Sequence, residues 1–510
     1  MALRVNFNYE AASTHTAILR NEREMNKSLL RLSTGMRILD ASDDAAGLFI
    51  ADQLSIVAAG LERGNQNIQT GISSLRIAEN AAGQIFDRLR AIYSRALSAA
   101  NDINDPNARA SLQQEINNLV DAIQKIGTDT EYNGIKLLDG SFTNKYIHYG
   151  PRMNQTVLVS IGDVRAQSLG AYMVTGSGNV YSGATALPTT NTDFTVDANE
   201  YLQVAGQYVV GGTSGYGPGL VDAATVAKNI NNNPTLQSMG IEATATNRSV
   251  ANTFTSLVTY NNASGASVTL NFYVGSSTTP VFSISGLNET TTLQQLVDAI
   301  NSQASASGAP ITASIDNGRL VLKTTNGETI AVEATVTGAT FGANGSVTVN
   351  LDQILQGAQA QQVTANGSSV YAVKVGQLNI AGTDSFSVSI STGLGGLGIT
   401  STTPTFKNLY TISVMDNTGA EQALLIVKKA QQKVDKVRAQ IGAVMNNLQS
   451  IFDAQKTALD NTQEAENVIR NTDYAQEMSS FTKLQIKMQA SMAMLAQANQ
   501  LPQMVLQLLR

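Results

Sequence analysis

The sequence contains no cysteine and no tryptophan, and its only histidines are His15 and His148. Without cysteine the chain has no disulfide framework, no thiolate metal site and no cysteine nucleophile. The two histidines are too far apart in sequence for an HExxH zinc motif, and they leave a Ser–His catalytic pair almost nowhere to form. These absences exclude several classes of enzyme and of small secreted domain.

Charged residues are scarce as well, at 14% of the 510 positions, and the formal net charge is −6. An acidic balance argues against a nucleic-acid-binding protein. No run of about 18 apolar residues indicates a membrane span, and the N-terminus lacks the apolar segment of a cleaved secretory signal. Because 43% of residues are still hydrophobic, we expect a folded, non-catalytic structural protein with neither nucleic-acid binding nor membrane insertion.

Charge density divides the chain into helical ends and a strand-like middle. Residues 171–400 hold 17 of the 72 charged residues and are rich in Gly, Ser, Thr, Asn and Val, which is typical of short strands between turns. Two stretches of this region, 222–245 and 291–314, share an amphipathic segment ending in Ile-Asn, a polar loop and an Ile-x-Ala strand. Two tandem α+β modules explain this likeness, and chance similarity between low-complexity stretches is the alternative.

Each end of the chain carries an apolar stripe with near-heptad spacing. The N-terminal stripe consists of Ile18, Met25, Leu29, Leu32 and Met36. The C-terminal stripe consists of Phe481, Leu484, Met488, Met492, Leu495, Leu501, Val505 and Leu508. Either stripe alone fits an ordinary core helix. Two of them at opposite ends, where chains usually fray, predict that the ends pair with each other and with the ends of neighbouring subunits.

Local signals predict further helices and turns between the ends. Ser42 is expected to cap a helix that starts at Asp43-Asp44 and continues through several glycines, which we interpret as sites of close helix approach. Asp105-Pro106 predicts an N-cap followed by Pro at the first helical position. Asn133-Gly134 and Asp139-Gly140 are hairpin signals.

Residues able to carry chemistry do not form a recognised motif. No GxGxxG or GxxxxGK[ST] pattern is present in a suitable context. Asp43-Asp44 fits a metal or acid–base pair less well than a charged helix start. The Asn-x-Ser/Thr triplets are frequent by composition, and the many hydroxyls of the middle favour O-linked sugar instead. We therefore predict no catalytic residue, no cofactor and no metal site.

Several motifs at the two ends resemble those of bacterial flagellin. LSTGMRI (32–38) is similar to the family's LSSGLRI, and Asp43–Gly47 reproduces its DDAAG. TEYNG (130–134) matches its (T/Q)xFNG turn, and AQANQLPQ (496–503) with the final LLR matches its closing motif. The resemblance covers about 1–170 and 405–510.

The resemblance implies an α+β multidomain fold in which long terminal helices form an inner coiled coil. Next come a helical rod domain with β-hairpins and a mainly β or α+β central insertion. The expected division is 1–42 and 471–510 for the two halves of the inner domain, 43–172 and 406–470 for the rod domain, and 173–405 for the surface-exposed variable region.

The same resemblance implies a function. The chain is expected to be an extracellular subunit that polymerises with itself into the flagellar filament for swimming. It would pass unfolded through the flagellar type III channel with a C-terminal export chaperone, and meet filament cap and hook-junction proteins. Three alternatives stay open: a hook–filament junction protein with the same terminal domains, an adhesin, and an enzyme grafted into the insert.

One stretch departs from the family pattern. Many flagellins present a segment like LQRVREL on which an animal Toll-like receptor docks. An ungapped alignment places Leu89–Arg95 there, so that Ala91 and Tyr93 stand where the family has arginines and Arg95 stands where it has leucine. The receptor-recognition region therefore comprises Leu89, Arg90, Ala91, Tyr93 and Arg95, together with Glu115, which is retained. We expect poor recognition by that receptor.

Overall fold

The fold, taken from a computed structural model, is described for residues 7–101, 104–185, 187, 194–197, 199–211 and 219–508, with side chains to residue 500. Long helices occupy the two ends of the chain and strands dominate the middle. This arrangement confirms the predicted α+β class with helical ends and a β-rich central region. The helices are α1 (Tyr9–Thr34), α2 (Ala45–Ala99), α3 (Pro106–Asp129), α4 (Ala223–Asn232), α5 (Pro234–Ser238), α6 (Leu293–Ser307), α7 (Asn417–Arg470) and α8 (Tyr474–Leu508).

Short strands, which pair antiparallel, form most of the regular structure outside the helices. They are β1 (Glu131–Tyr132), β2 (Ile135–Lys136), β3 (Lys145–His148), β4 (Thr156–Val159), β5 (Gly170–Gly176), β6 (Val180–Gly183), β7 (Thr195–Val196), β8 (Leu202–Val204), β9 (Gln207–Val210), β10 (Gly219–Leu220), β11 (Glu242–Thr246), β12 (Arg248–Thr253), β13 (Val258–Ser264), β14 (Ser267–Val274), β15 (Phe282–Leu287), β16 (Ile311–Asp316), β17 (Arg319–Thr324), β18 (Ile330–Thr337), β19 (Thr340–Val349), β20 (Gln361–Val363), β21 (Ser369–Lys374), β22 (Gln377–Gly382), β23 (Val388–Ile390) and β24 (Thr405–Asn408). Short 3₁₀ segments occupy Leu351–Gln353, Thr392–Leu397 and Leu409–Thr411.

The larger sheets lie in the middle of the chain. A five-stranded sheet has the order β15-β14-β18-β21-β6, and a four-stranded sheet has the order β11-β22-β5-β24. Three-stranded sheets are β12-β17-β16, β13-β19-β20 and β23-β8-β9, while β1-β2, β3-β4 and β10-β7 are two-stranded. The hydrophobic side chains of these sheets and of α4 and α6 fill two buried cores, and Phe272 stacks on Phe282 in one of them with ring centroids 4.8 Å apart.

The chain folds into two compact units. One contains Met1–Ile77, Thr143–Ser160 and Ile441–Arg510, and the other contains Ala78–Phe142 and Ile161–Gln440. In the second unit, Glu242 of β11 accepts bonds from Lys428 at 2.6 Å and from the buried Lys429 at 3.2 Å. The five-part division expected from the sequence stays a prediction.

The start of α2 differs in detail from the sequence prediction. The helix begins at Ala45, and the carboxylate of Asp44, not Ser42, accepts the backbone N–H of Gly47 at 2.9 Å. An aspartate at this position satisfies one of the free amides of the first turn and complements the helix dipole. For α3 the prediction is confirmed, since Asp105 accepts the N–H of Ala108 and Pro106 is the first helical residue.

Glycines along α2 make room for a β-hairpin. The helix runs through them without a break to Ala99. A Cβ on Gly60 would lie 2.5 Å from Pro151, one on Gly71 would lie 2.5 Å from Ile147, and one on Gly64 would overlap the carbonyl of Tyr149. All three neighbours belong to β3 or to the loop that joins it to β4. The predicted close approach is therefore present, but its partner is a hairpin and not a second helix.

The two hairpin signals have different outcomes. Asn133 and Gly134, with φ of 50° and 75°, connect β1 to β2 as in a type I′ turn. Asp139-Gly140 does not connect paired strands. The Asp139 carboxylate instead accepts bonds from the N–H and hydroxyl of Ser141, and the next strand starts only at Lys145.

The two related modules of the middle share a specific pair of hydrogen bonds. In the first, the Asn231 amide donates to the carbonyl of Ala243 at 2.8 Å and accepts its N–H at 2.9 Å. In the second, Asn301 makes the same two bonds to Ala313, at 2.9 and 2.8 Å. In both cases the helical Ile-Asn is tied to the alanine of the Ile-x-Ala strand, which explains why these residues recur.

The glycine contacts predict opposite effects for two substitutions in the same helix. Gly64→Ala should destabilise the fold by about 1–3 kcal/mol or more, because its Cβ meets the Tyr149 backbone. Gly83→Ala should stabilise it by about 0.5–1 kcal/mol, because the nearest atom is the end of the Arg438 side chain at 4.0 Å. Urea unfolding followed by helical circular dichroism measures both. Equal effects of the two variants would contradict this account of the glycines.

Candidate functional site: the terminal helices

The first and last helices pack against each other in antiparallel orientation. At one end, the Asn8 amide donates to the carbonyl of Ala498 at 2.8 Å while its oxygen caps α1. At the other end, Gly35 has the left-handed φ of 72° that ends α1, and its carbonyl accepts the N–H of Thr472 at 2.9 Å. The structure therefore pairs α1 and α8, which come from opposite ends of the described chain.

The contact between α1 and α8, which we term the seam, follows a strict heptad pattern. Its heptad positions on α1, all buried or half-buried, are Ala11, Thr14, Ile18, Asn21, Met25, Ser28 and Leu32, while Ala12 and Arg31 are half-buried off the heptad. Those on α8 are Glu477, Phe481, Leu484, Met488, Ser491, Leu495 and Ala498. Asn21 donates to the hydroxyl of Ser491 at 3.3 Å inside this seam. A polar pair between apolar neighbours favours one register over its alternatives.

The predicted stripes are only partly contained in the seam. The structure places Ile18, Met25 and Leu32 on α1, and Phe481, Leu484, Met488 and Leu495 on α8, at half-buried positions. Leu29, Met36 and Met492 are instead exposed, at 53%, 36% and 55%. Leu501, Val505 and Leu508 lie in the last turns of α8, where side chains are outside the described residues.

Exposed apolar side chains extend over the rest of the same unit. They include Leu30, Phe49, Ile50, Ile56, Val468, Met478, Ile486 and Met494. The apolar stripes predicted from the sequence do not include the exposed residues of α2 and α7, although the sequence shows these apolar residues next to polar ones. A window of α2 reaches a mean hydropathy of 1.4 with 17% of it buried, so by length and composition this helix is apolar enough for a membrane span. The window still contains polar residues and no uninterrupted run of about 18 apolar ones, so the expected absence of a membrane span stays a prediction.

Asp43 holds the loop between α1 and α2. Its carboxylate lies 3.2 Å from the Lys27 ammonium and 3.8 Å from the Arg31 guanidinium, and it accepts the N–H of Leu39 at 3.3 Å. Burial acts to raise the pKa of Asp43, but the bonds from Leu39 and Lys27 outweigh it and hold the pKa below its usual value. Asp43 is thus a structural anion and Asp44 a helix cap. Within the described residues no cluster of three metal-ligating side chains occurs.

The predicted receptor-recognition region lies on α2 and α3. Leu89 is buried, Arg90 is exposed, and Ala91 and Tyr93 are half-buried. Arg95 forms an ion pair with Glu115 of α3. Two residues of the predicted region, Arg95 and Glu115, are therefore bound to each other, a contact that the sequence did not reveal.

Comparisons with known proteins match both ends and part of the middle. The family model for the bacterial flagellin N-terminal helical region matches residues 5–143, and that for the C-terminal helical region matches residues 424–509. The flagellin hook IN motif matches residues 267–326, which include the second Ile-Asn module.

Curated relatives match over the full length. A flagellin of Aquifex pyrophilus is 50% identical over 517 residues, and a B-type flagellin of Pseudomonas aeruginosa is 32% identical over 513, each covering 100% of both chains. Among solved structures, FliC from Burkholderia pseudomallei is 16% identical with a TM-score of 0.30, covering 74% of this chain and 99% of its own. The junction protein FlgL from Legionella pneumophila is 13% identical with a TM-score of 0.32, covering 82% and 99%.

The contacts of Asp43 predict a pH-dependent contribution to stability. A carboxylate with a lowered pKa stabilises the folded state above its unfolded pKa, and this stabilisation is lost as pH falls through the folded pKa. Asp43→Asn should cost about 1 kcal/mol at neutral pH and nothing once the wild type is itself protonated. Thermal unfolding across acidic and neutral pH measures this.

Glu24→Gln is the matched control on α1, because it removes only the exposed ion pair with Arg20. It should change stability by less than about 0.5 kcal/mol. A cost for Asp43→Asn that is the same at every pH would refute the electrostatic role.

Proposed function

The chain belongs to the bacterial flagellin family, whose members are the extracellular structural subunits of the flagellar filament, and on that premise we propose that it assembles through its terminal helices. The assembly surface comprises the exposed apolar side chains Leu29, Leu30, Met36, Phe49, Ile50, Ile56, Val468, Met478, Ile486, Met492 and Met494. Full-length identity of 50% to a flagellin favours this function over that of a junction protein.

The observation that carries the proposal is the composition of α8. Leu484, Met488 and Leu495 face the seam, while Ile486 and Met494 point away from it and are 61% and 63% exposed. A helix that is apolar on all sides is stable in water only when it is covered on all sides. Since α1 covers one side, neighbouring subunits are expected to cover the others.

The energy available from such contacts is large. At roughly 25 cal/mol per Å², an interface that buries about 1,500 Å² of apolar surface contributes on the order of tens of kcal/mol before ordering entropy is deducted. An exposed face that packs on a different face of the next subunit forms a heterologous contact, and repetition of that contact produces an open helical filament. Gly60, Gly64 and Gly71 contribute nothing here, because the β3–β4 hairpin already covers them.

The same exposed apolar surface supports the proposed export route and the proposed partner proteins. Before assembly the apolar ends lack part of their cover, which supports transit as an unfolded chain through the type III channel and protection of the C-terminal segment by an export chaperone. Filament cap and hook-junction proteins would be the first proteins to contact the assembly surface of an exported subunit.

The proposal predicts that a charge on the exposed face blocks assembly without unfolding the subunit. Leu29→Asp should abolish elongation, because a buried unpaired carboxylate is strongly unfavourable, while the circular dichroism spectrum stays unchanged. Asn26→Asp is the matched control, since it adds the same charge at an exposed polar position of α1 and should still polymerise. Electron microscopy after salt-induced assembly measures the outcome.

Deletion of residues 481–510 should likewise give a soluble chain with an unchanged strand-rich middle. Leu495→Asp should fail too, but its half-buried position means that it also weakens the α1–α8 seam. Long filaments from the Leu29→Asp variant would contradict the assignment of the exposed face.

A second proposal concerns the receptor-recognition region. Ala91 and Tyr93 replace arginines of the family, and Arg95 both removes an apolar contact and forms an ion pair with Glu115. Each loss costs about 1–3 kcal/mol of receptor binding, which together lowers affinity by orders of magnitude. The alternative is that these positions changed only to repack neighbouring subunits.

The prediction is that the monomer is a poor agonist of the receptor. Ala91→Arg combined with Arg95→Leu should restore activation, because it returns a guanidinium and releases Glu115. Reporter cells that express the receptor measure this beside a flagellin that keeps LQRVREL. Equal potency of the unaltered chain and that flagellin would rule the proposal out.

A further inference from the structure

Methionine is concentrated in the last helix of the chain. Of the 13 methionines, five lie in α8: Met478, Met488, Met492, Met494 and Met504. Three of these are more than half exposed, at 51% for Met478, 55% for Met492 and 63% for Met494. Met36, which pairs with Asn471 just before α8, is 36% exposed. These four thioethers, here called the exposed methionines, all belong to the assembly surface.

We propose that the exposed methionines are sites of reversible oxidation by peroxide, and that their oxidation prevents the subunit from joining a filament. This inference rests on the proposed function, because it requires that the assembly surface becomes buried when subunits assemble. Since the chain contains neither cysteine nor tryptophan, methionine is its most readily oxidised side chain, and no thiol competes for the oxidant.

The chemistry is a single oxygen transfer. The Sδ atom attacks one oxygen of hydrogen peroxide, the S–O bond forms as the O–O bond breaks, and water leaves. Sulfur is oxidised and the peroxide is reduced. The product is a polar, chiral sulfoxide in place of a flexible apolar group. The assembly surface also carries Ile486. Burial of the sulfoxide oxygen on this surface removes its hydrogen bonds to water and is therefore unfavourable.

Assembly and oxidation should therefore exclude each other. A free subunit presents the exposed methionines to solvent, whereas a subunit within a filament covers them. Peroxide is expected to act on subunits before they are incorporated and to leave the interior of an existing filament unmodified. Methionine sulfoxide reductases reverse the modification, so an oxidised subunit is not permanently lost.

The test treats full-length monomer with hydrogen peroxide and then induces assembly. Peptide mass spectrometry identifies the oxidised sites, and sedimentation with electron microscopy measures the polymerised fraction. The protected variant is M36L/M478L/M492L/M494L, which keeps apolar side chains but removes the thioethers. The matched control is M153L/M239L/M415L, whose methionines are 90%, 48% and 48% exposed but lie outside the assembly surface.

Untreated wild type must polymerise, and its failure would count against the proposed function and not against oxidation. After peroxide, wild type and the control should lose most of their polymerised fraction, the protected variant should retain it, and reductase treatment of wild type should recover it. The proposal is overturned if oxidised wild type polymerises as well as untreated protein, or if the protected variant loses assembly equally. If that variant fails to polymerise untreated, reductase recovery of wild type decides the question.

Discussion

The chain carries more apolar surface on its terminal helices than it can bury by itself. Pairing α1 with α8 covers one side of each helix, and the heptad pattern of half-buried positions shows which side that is. The opposite side keeps residues such as Ile486 and Met494 in contact with solvent. Uncovered apolar area is unfavourable in water, and in the proposed assembly another copy of the chain covers it.

Polar contacts determine how this surface is presented. Asn8 caps α1 and also bonds to α8, so one side chain sets the helix start and its pairing. Asn21 and Ser491 meet inside the seam and favour a single register. At the turn that follows, Gly35 ends the helix and Asp43 ties the loop back to Lys27 and Arg31. None of these contacts contributes much energy alone, but together they select which apolar residues remain outside.

The β-rich middle buries its hydrophobic side chains within its own cores. Two cores enclose the hydrophobic faces of its sheets and helices, and the Asn231–Ala243 and Asn301–Ala313 pairs fasten each module's helix to its strand. Most hydrophobic side chains in the described part of the middle are covered in this way, in contrast to those of the terminal helices.

The sequence by itself determined the fold class, the family and the start of α3, because those depend on local periodicity, motifs and caps. Asp105-Pro106 and Asn133-Gly134 act where they were predicted, since an N-cap and a type I′ turn need only neighbouring residues. Tertiary structure alone decided which stripe residues face inward. Leu29 and Met492 continue an apolar pattern but lie just off the heptad that Asn21 and Ser491 complete. It also decided that a hairpin covers the α2 glycines and that Arg95 engages Glu115. The spacing of the stripes predicted that α1 and α8 pair, but it does not specify which side chains the partner covers, and for that reason only the folded chain could show these details.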